Sequence, residues 1–245
     1  MVTIRGMRKR ITRKKKYTRK RNVQVSGYRK RYRRAATRNR RSATLGKGFP
    51  KKVTMTHKYK TTIQGTGTGV IDYFHFRANG MYDPEVALGG HQPMYFDQMT
   101  ALYDHWTVIG SKIKITITRT AQHANDVFPM YFCLFLNDDT SVANSSITNV
   151  AEANGARIVM CAPSQQQNFH PVSTVLTQKF SAKKTYGNAT LNNTNIQGSS
   201  VVDPSEQTMY TLCYQHPGGA EASFEALVEI DYIAVWTEVK DVLSS

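Results

Sequence analysis

The stretch VTMTHKYKTTI, residues 53–63, sets Val53, Met55, His57, Tyr59, Thr61 and Ile63 at every second position with polar residues between them. A period of two places those six on one side of an extended chain, the pattern of a strand with one buried face. Outward from it the same reading recurs. A Gly-rich turn at 65–69 leads into a run at 70–78, and further runs occupy 106–119, 129–137, 157–161, 172–180, 208–216 and 223–238. Eight runs in the 193 residues from 53 to 245, joined by Gly, Asn, Ser and Pro loops, predict an all-β domain, either a sandwich or a jelly roll. One short helix is expected where Pro93 suits a first turn and Phe96, Met99 and Tyr103 follow at i, i+3 and i+7, covering one edge of the sheets. The polar loops at 138–156 and 182–206 are long for a compact enzyme and suit surface decoration and subunit contacts.

In front of the first strand the composition changes. Residues 1–52 hold 22 of the 33 Lys and Arg and no Asp or Glu; the first acid is Asp72. Counted to residue 60 the charge is +24, and the remaining 9 basic and 17 acidic residues give −8, which restores the total of +16. So unequal a split describes a polycationic arm on a mildly acidic body with no basic patch of its own, and it assigns a polyanion to the arm. Two clusters carry the charge: Arg5, Arg8, Lys9, Arg10, Arg13, Lys14, Lys15, Lys16, Arg19, Lys20 and Arg21, then Arg29, Lys30, Arg31, Arg33, Arg34, Arg38, Arg40 and Arg41. Charges this dense repel, and little apolar surface offsets chain entropy, so residues 1–52 are expected to be largely disordered in isolation. Each cation that neutralises a phosphate releases a counterion, which gives binding that ignores sequence and falls steeply with salt. Tyr17, Tyr28 and Tyr32 lie among the charges and suit stacking on unpaired bases. The clusters at 8–16 and 29–34 also have the composition of nuclear-import signals.

Other chemistries find little support. The arm has no apolar face to enter a bilayer, the N-terminus lacks a secretory core, and no span reaches membrane length, so no membrane insertion is expected. Cys133, Cys161 and Cys213 are odd in number, form no CxxC and lie in apolar runs, which reads as buried free thiols in a reducing compartment. On that reading the sequons at Asn144, Asn188 and Asn192 are coincidental. The segment GTGTG at 65–69 fits neither phosphate-loop spacing and reads as a turn. His57, His75, His91, His105, His123, His170 and His216 are scattered without metal-ligand spacing. Asp138 with Asp139, and Asp104 beside His105, are neighbours whose side chains are expected to point apart. No catalytic residue, cofactor or metal site is assigned.

Residues 76–120, FRANGMYDPEVALGGHQPMYFDQMTALYDHWTVIGSKIKITITRT, resemble the same region in capsid proteins of circovirus-like, Rep-encoding circular single-stranded DNA viruses. The pieces are an Asn-Gly-x-Tyr-Asp-Pro turn from Asn79 to Pro84, then Gly89, Gly90, His91, Gln92 and Pro93, then Phe96, Asp97 and Gln98, and Tyr103 leading to Val108 and Lys112. Environmental, unclassified members are closer than the animal circoviruses, whose arms carry longer unbroken Arg runs. The resemblance implies a single eight-stranded jelly roll over 53–245, sixty copies of which form a T=1 icosahedral shell, with residues 1–52 turned toward a packaged single-stranded DNA genome. It also implies a virion location, assembly in the host nucleus, and contacts with host import machinery and a surface receptor. Charge alone leaves DNA and RNA open, and a small RNA virus coat shares arm and fold. A ribosomal or chromatin protein is the further alternative.

Overall fold

The computed structural model describes residues 49–87, 90–120, 128–142, 146–153, 155–162, 173–218 and 221–240. The chain divides into two units, 1–49 and 50–245, and the fold below is that of the second. Its strands are β1 (Lys52–Gly67), β2 (Asp72–Arg77), β3 (Tyr103–Arg119), β4 (Met130–Asn137), β5 (Arg157–Cys161), β6 (Thr174–Ser181), the two-residue β7 (Gln197–Gly198), β8 (Met209–Gln215) and β9 (Ala222–Val239). Short helices are α1 (Phe96–Thr100), α2 (Ile147–Ala151) and α3 (Ala182–Tyr186).

Pairing is antiparallel and nested. The first long strand pairs with the last, β1 with β9, from Lys52 opposite Thr237 to Gly67 opposite Ala222. Inside that pair, β2 joins β8, β3 joins β6, and β4 joins β5. The chain is thus one long hairpin rolled so that successive pairs fall in two sheets, ordered β1-β9-β3-β6 and β2-β8-β4-β5, with β7 on β3. That is an eight-stranded jelly roll, in which all but the outermost strands are covered by a neighbour.

Period two decides what each sheet buries. In β9, Phe224, Ala226, Val228, Ile230, Tyr232 and Ala234 point inward. From β1, His57, Tyr59 and Ile63 join them, and the second sheet answers with Phe132, Leu134, Leu212 and Tyr214. Phe224 stands edge-on to Phe132 at 4.9 Å and to Tyr214 at 4.8 Å, the favoured geometry for aromatic pairs. The second sheet is buried on its other face as well. There Ile71, Cys133, Phe135 and Cys213 lie under Ile147 and Val150 of α2, which explains why all but the last residue of β8 is buried.

Several expectations shift. The Gly-rich turn expected at 65–69 begins later than expected: β1 runs on through Gly67, and the chain bends at Gly69 and Val70. A Cβ on Gly65 would sit 2.7 Å from the Phe224 ring, so glycine here admits the ring rather than bending the chain. Tyr103 begins β3 instead of closing the helix, which spans only Phe96–Thr100. Phe96 does not cover an edge; it plugs the end of the core between Trp106 and Trp236, with centroids 5.9 and 5.8 Å away. The loops at 138–156 and 182–206 hold α2 and α3.

His57 is wholly buried, with its Nδ1 3.0 Å from the Met94 carbonyl and its Nε2 accepting the Trp236 indole N–H at 3.0 Å. That arrangement admits only the neutral ring protonated on Nδ1, and burial holds the pKa below 6.5 although the Met94 carbonyl pulls it up. Since the unfolded chain binds the proton first, this contribution to stability is complete above pH 6.5 and is lost as pH falls from there toward the folded value. His57→Phe leaves two buried polar groups unpaired, with an expected cost of about 1–3 kcal/mol at neutral pH. It should also flatten the acid limb, which thermal melts of both proteins at pH 5 and pH 7.5 would reveal.

Candidate nucleic-acid interface

The cations Arg5 through Arg41, with Tyr17, Tyr28 and Tyr32, lie outside the described residues. The body holds a basic surface of its own. Lys58 and Lys60 share parity in β1, as do Lys112 and Lys114 in β3, and both strands flank β9. Register then lines up two cross-strand rows: Lys58, Asp231, Lys112 and Lys179, and beside it Lys60, Glu229, Lys114 and Thr177. Both point away from the core. Glu229 is bonded by Lys60 at 2.6 Å and Lys114 at 2.9 Å, which holds its carboxyl down at about 2. Lys58, Lys112 and Lys179 have no carboxylate within ion-pair distance among the described residues.

This corrects the expectation that the body lacks a basic patch. From residue 53 onward there are 33 − 22 = 11 basic and 17 acidic residues, or −6. Five consecutive rows of the outer face, from Gln64 to Thr56, carry those five lysines against Glu225, Glu229 and Asp231, or +2, and leave −8 for the rest. Two facts hid it from sequence. Lys58 and Lys60 counted with the arm, and the lysines of β1, β3 and β6 are brought together only by β9. The signal that was present is the Lys-x-Lys spacing, which in a strand puts both charges on one face.

The segment at 76–120 serves architecture. Arg77 carries ion pairs to Asp83 at 3.2 Å and Asp203 at 3.6 Å, and its Nε donates to Gln207 at 2.9 Å. Asp203 accepts the backbone N–H of Tyr82 at 3.0 Å and of Asp83 at 3.1 Å. Asn79 donates to the Glu206 carbonyl and accepts the Thr208 N–H, so the Asn-Gly-x-Tyr-Asp-Pro turn is stitched to the loop before β8. A cleft of about 770 Å³ lies beside it, lined by Tyr82, Asp83, His91, Met94, Tyr95 and Asp97.

Among the described residues, the neighbouring titratable pairs singled out in the sequence do not come together as sites. Asp104 faces Lys240 at 3.8 Å while His105 faces Glu238 at 3.5 Å, so the two neighbours do point apart. Asp139 is engaged by its own turn through Ser141. Cys133, Cys161 and Cys213 are buried free thiols; Cys133 lies opposite Cys213, and burial pushes its thiol up to about 11. Among the described residues no His, Cys, Asp and Glu set has metal-site geometry, and no helix is long and apolar enough to cross a membrane. His123, His170 and Asn144 lie outside the described residues.

No protein-family model matches the chain, and no curated protein is similar to it in sequence. Solved structures match it in fold at low sequence identity. The 60-mer of the BFDV capsid protein is 9% identical over 80% of this chain and 100% of that one, with a TM-score of 0.43. Turnip yellow mosaic virus is 12% identical over 80% and 99%, at 0.41, and Desmodium yellow mottle tymovirus 14% over 82% and 95%, at 0.37. At TM-scores this low none of these carries an argument, and the jelly-roll assignment rests on the nested strand pairing.

Proposed function

We propose that this chain is a viral coat protein of the circovirus-like, circular single-stranded DNA type, not an enzyme, and that it assembles into a sixty-subunit T=1 shell around its genome. The observation that carries the proposal is the union in one chain of a nested eight-stranded jelly roll with an arm of 22 cations and no acid. A jelly roll can tile through its edges and loops. The arm supplies what tiling does not. Sixty arms bring about 1,300 positive charges, enough to neutralise most of a strand on the order of one to two thousand nucleotides at one phosphate per charge. Fully extended, 52 residues reach at most about 180 Å, ample to pass from a shell wall into its contents. The resemblance at 76–120 favours DNA over RNA. The clusters at 8–16 and 29–34 would engage host import machinery and place assembly in the nucleus, and the finished location is the virion, whose surface would meet a host receptor.

Negative-stain electron microscopy of the purified protein tests the proposal. Uniform round particles are expected, with nucleic acid inside that DNase destroys after the shells are opened. A protein that stays monomeric in both low and high salt would refute self-assembly, and contents sensitive only to RNase would refute the DNA assignment.

A further inference from the structure

We infer that the outer face of the first sheet, exposed among the described residues, is a second polyanion site, which takes the phosphate backbone of a nucleic-acid strand on Lys58, Lys112 and Lys179. The inference rests on the polyanion-binding part of the proposed function and not on shell formation. Covering distinguishes the two sheets. The second has α2 packed over Cys133, Phe135 and Cys213, whereas the first presents lysines and threonines to solvent at the same depth in the fold. Neighbouring strands lie about 4.8 Å apart and alternate residues about 6.8 Å, so five ammonium groups gather in a patch roughly 14 Å by 7 Å. Glu229 is already neutralised by Lys60 and Lys114. What is left for a ligand is the row of Lys58, Lys112 and Lys179 around a single carboxylate, Asp231.

The occupant follows from what the face contains and lacks. Its inner rows carry no aromatic ring, so bases have nothing to stack on, and contact is limited to the sugar-phosphate backbone. Thr56, Thr62, Thr116 and Thr177 border the lysines with hydroxyl donors, the usual neutral partners of phosphate oxygens. Interfaces between protein copies concentrate apolar side chains at the centre and are poor in lysine, and this face has the reverse layout. Leu227, Ile233 and Val175 are its half-exposed apolar residues, and they stand outside the two charged rows. In sequence the face continues the arm, since β1 opens on the arm's last residue, Lys52, and carries Lys58 and Lys60 at outward positions shortly after it.

The test uses the full chain freed of co-purifying nucleic acid, with oligothymidylate as the probe. Binding is measured across a salt series for the unaltered protein and for the variant Lys58→Gln, Lys112→Gln, Lys179→Gln, which spares the lysines bonded to Glu229. Loss of three phosphate contacts should make the log-log salt slope shallower by about 2. In parallel, acetylation of Lys58, Lys112 and Lys179 in the unaltered protein is followed by mass spectrometry, and the oligonucleotide should slow it several-fold. An unchanged slope overturns the inference. Protection that appears when the protein assembles without nucleic acid also overturns it, in favour of a contact between copies. Absence of particles sinks the coat proposal while leaving the slope informative, and particles with an unchanged slope sink this site alone.

Discussion

Removing residues 1–41 is expected to lower affinity for single-stranded DNA by several orders of magnitude at physiological salt while the β fold survives. The deletion takes out 19 of the 33 Lys and Arg. If all of them met phosphates, counterion release would set a salt slope near −13 on a single strand, at about 0.7 per contact. Even half that number corresponds to the contact count for which binding loses about 10³–10⁵ in affinity between 50 and 200 mM salt. The fold should survive because the chain divides between Phe49 and Pro50, and the main core cluster draws its buried members from Tyr59 to Trp236. The truncated protein should keep a residual slope of about −2 from the lysine face. Fluorescence anisotropy over a salt series, with circular dichroism as the control for folding, checks both halves. A truncated protein that retained the full slope would show that the arm is not the binder.

Asp203→Ala should cost about 3–5 kcal/mol, because it breaks a buried ion pair by removing one partner. The Asp203 side chain is 8% exposed and that of Arg77 16%. The same change leaves the Tyr82 and Asp83 backbone N–H groups without their acceptor, so the turn at 79–84 and the loop before β8 lose their clasp together. A domain of this size loses roughly 2–4 °C in melting temperature per kcal/mol, so a fall of about 6–20 °C is expected. Asp83→Ala supplies the internal comparison. Its side chain pairs with the same arginine at 3.2 Å but is 38% exposed, and water already screens it, so its loss should cost about 1 kcal/mol or less. Urea unfolding of the two variants side by side would decide the matter. Equal losses would mean that burial is not what gives Asp203 its weight.

Much of the fold was legible because strands advertise themselves locally. All eight expected runs became strands, with 157–161 unchanged in its bounds, since alternation in a strand is a statement about residues two apart. Failures came where the deciding partner is distant. The glycines at 65 and 67 resemble a turn until Phe224, more than 150 residues on, is seen to need the space at Gly65, and Met130 the space at Gly67. Tyr103 fits a helical spacing from Phe96, yet pairing with Val239 draws it into β3. The residues quoted for the family resemblance are legible as a motif, but their work as a clasp depends on Asp203 and Gln207, which no local pattern connects to Arg77.

By itself the sequence determined the all-β class, the position of nearly every strand, the free buried cysteines and the segregation of charge into the arm, because each depends on composition or on neighbours along the chain. Only the tertiary structure decided which strands pair, which sheet is left uncovered among the described residues, and that five lysines from β1, β3 and β6 share one face. The physical reason is the nested pairing itself. Bringing residue 52 beside residue 237 joins strands at opposite ends of the chain, and a surface assembled from three strands has no period that any one of them can display.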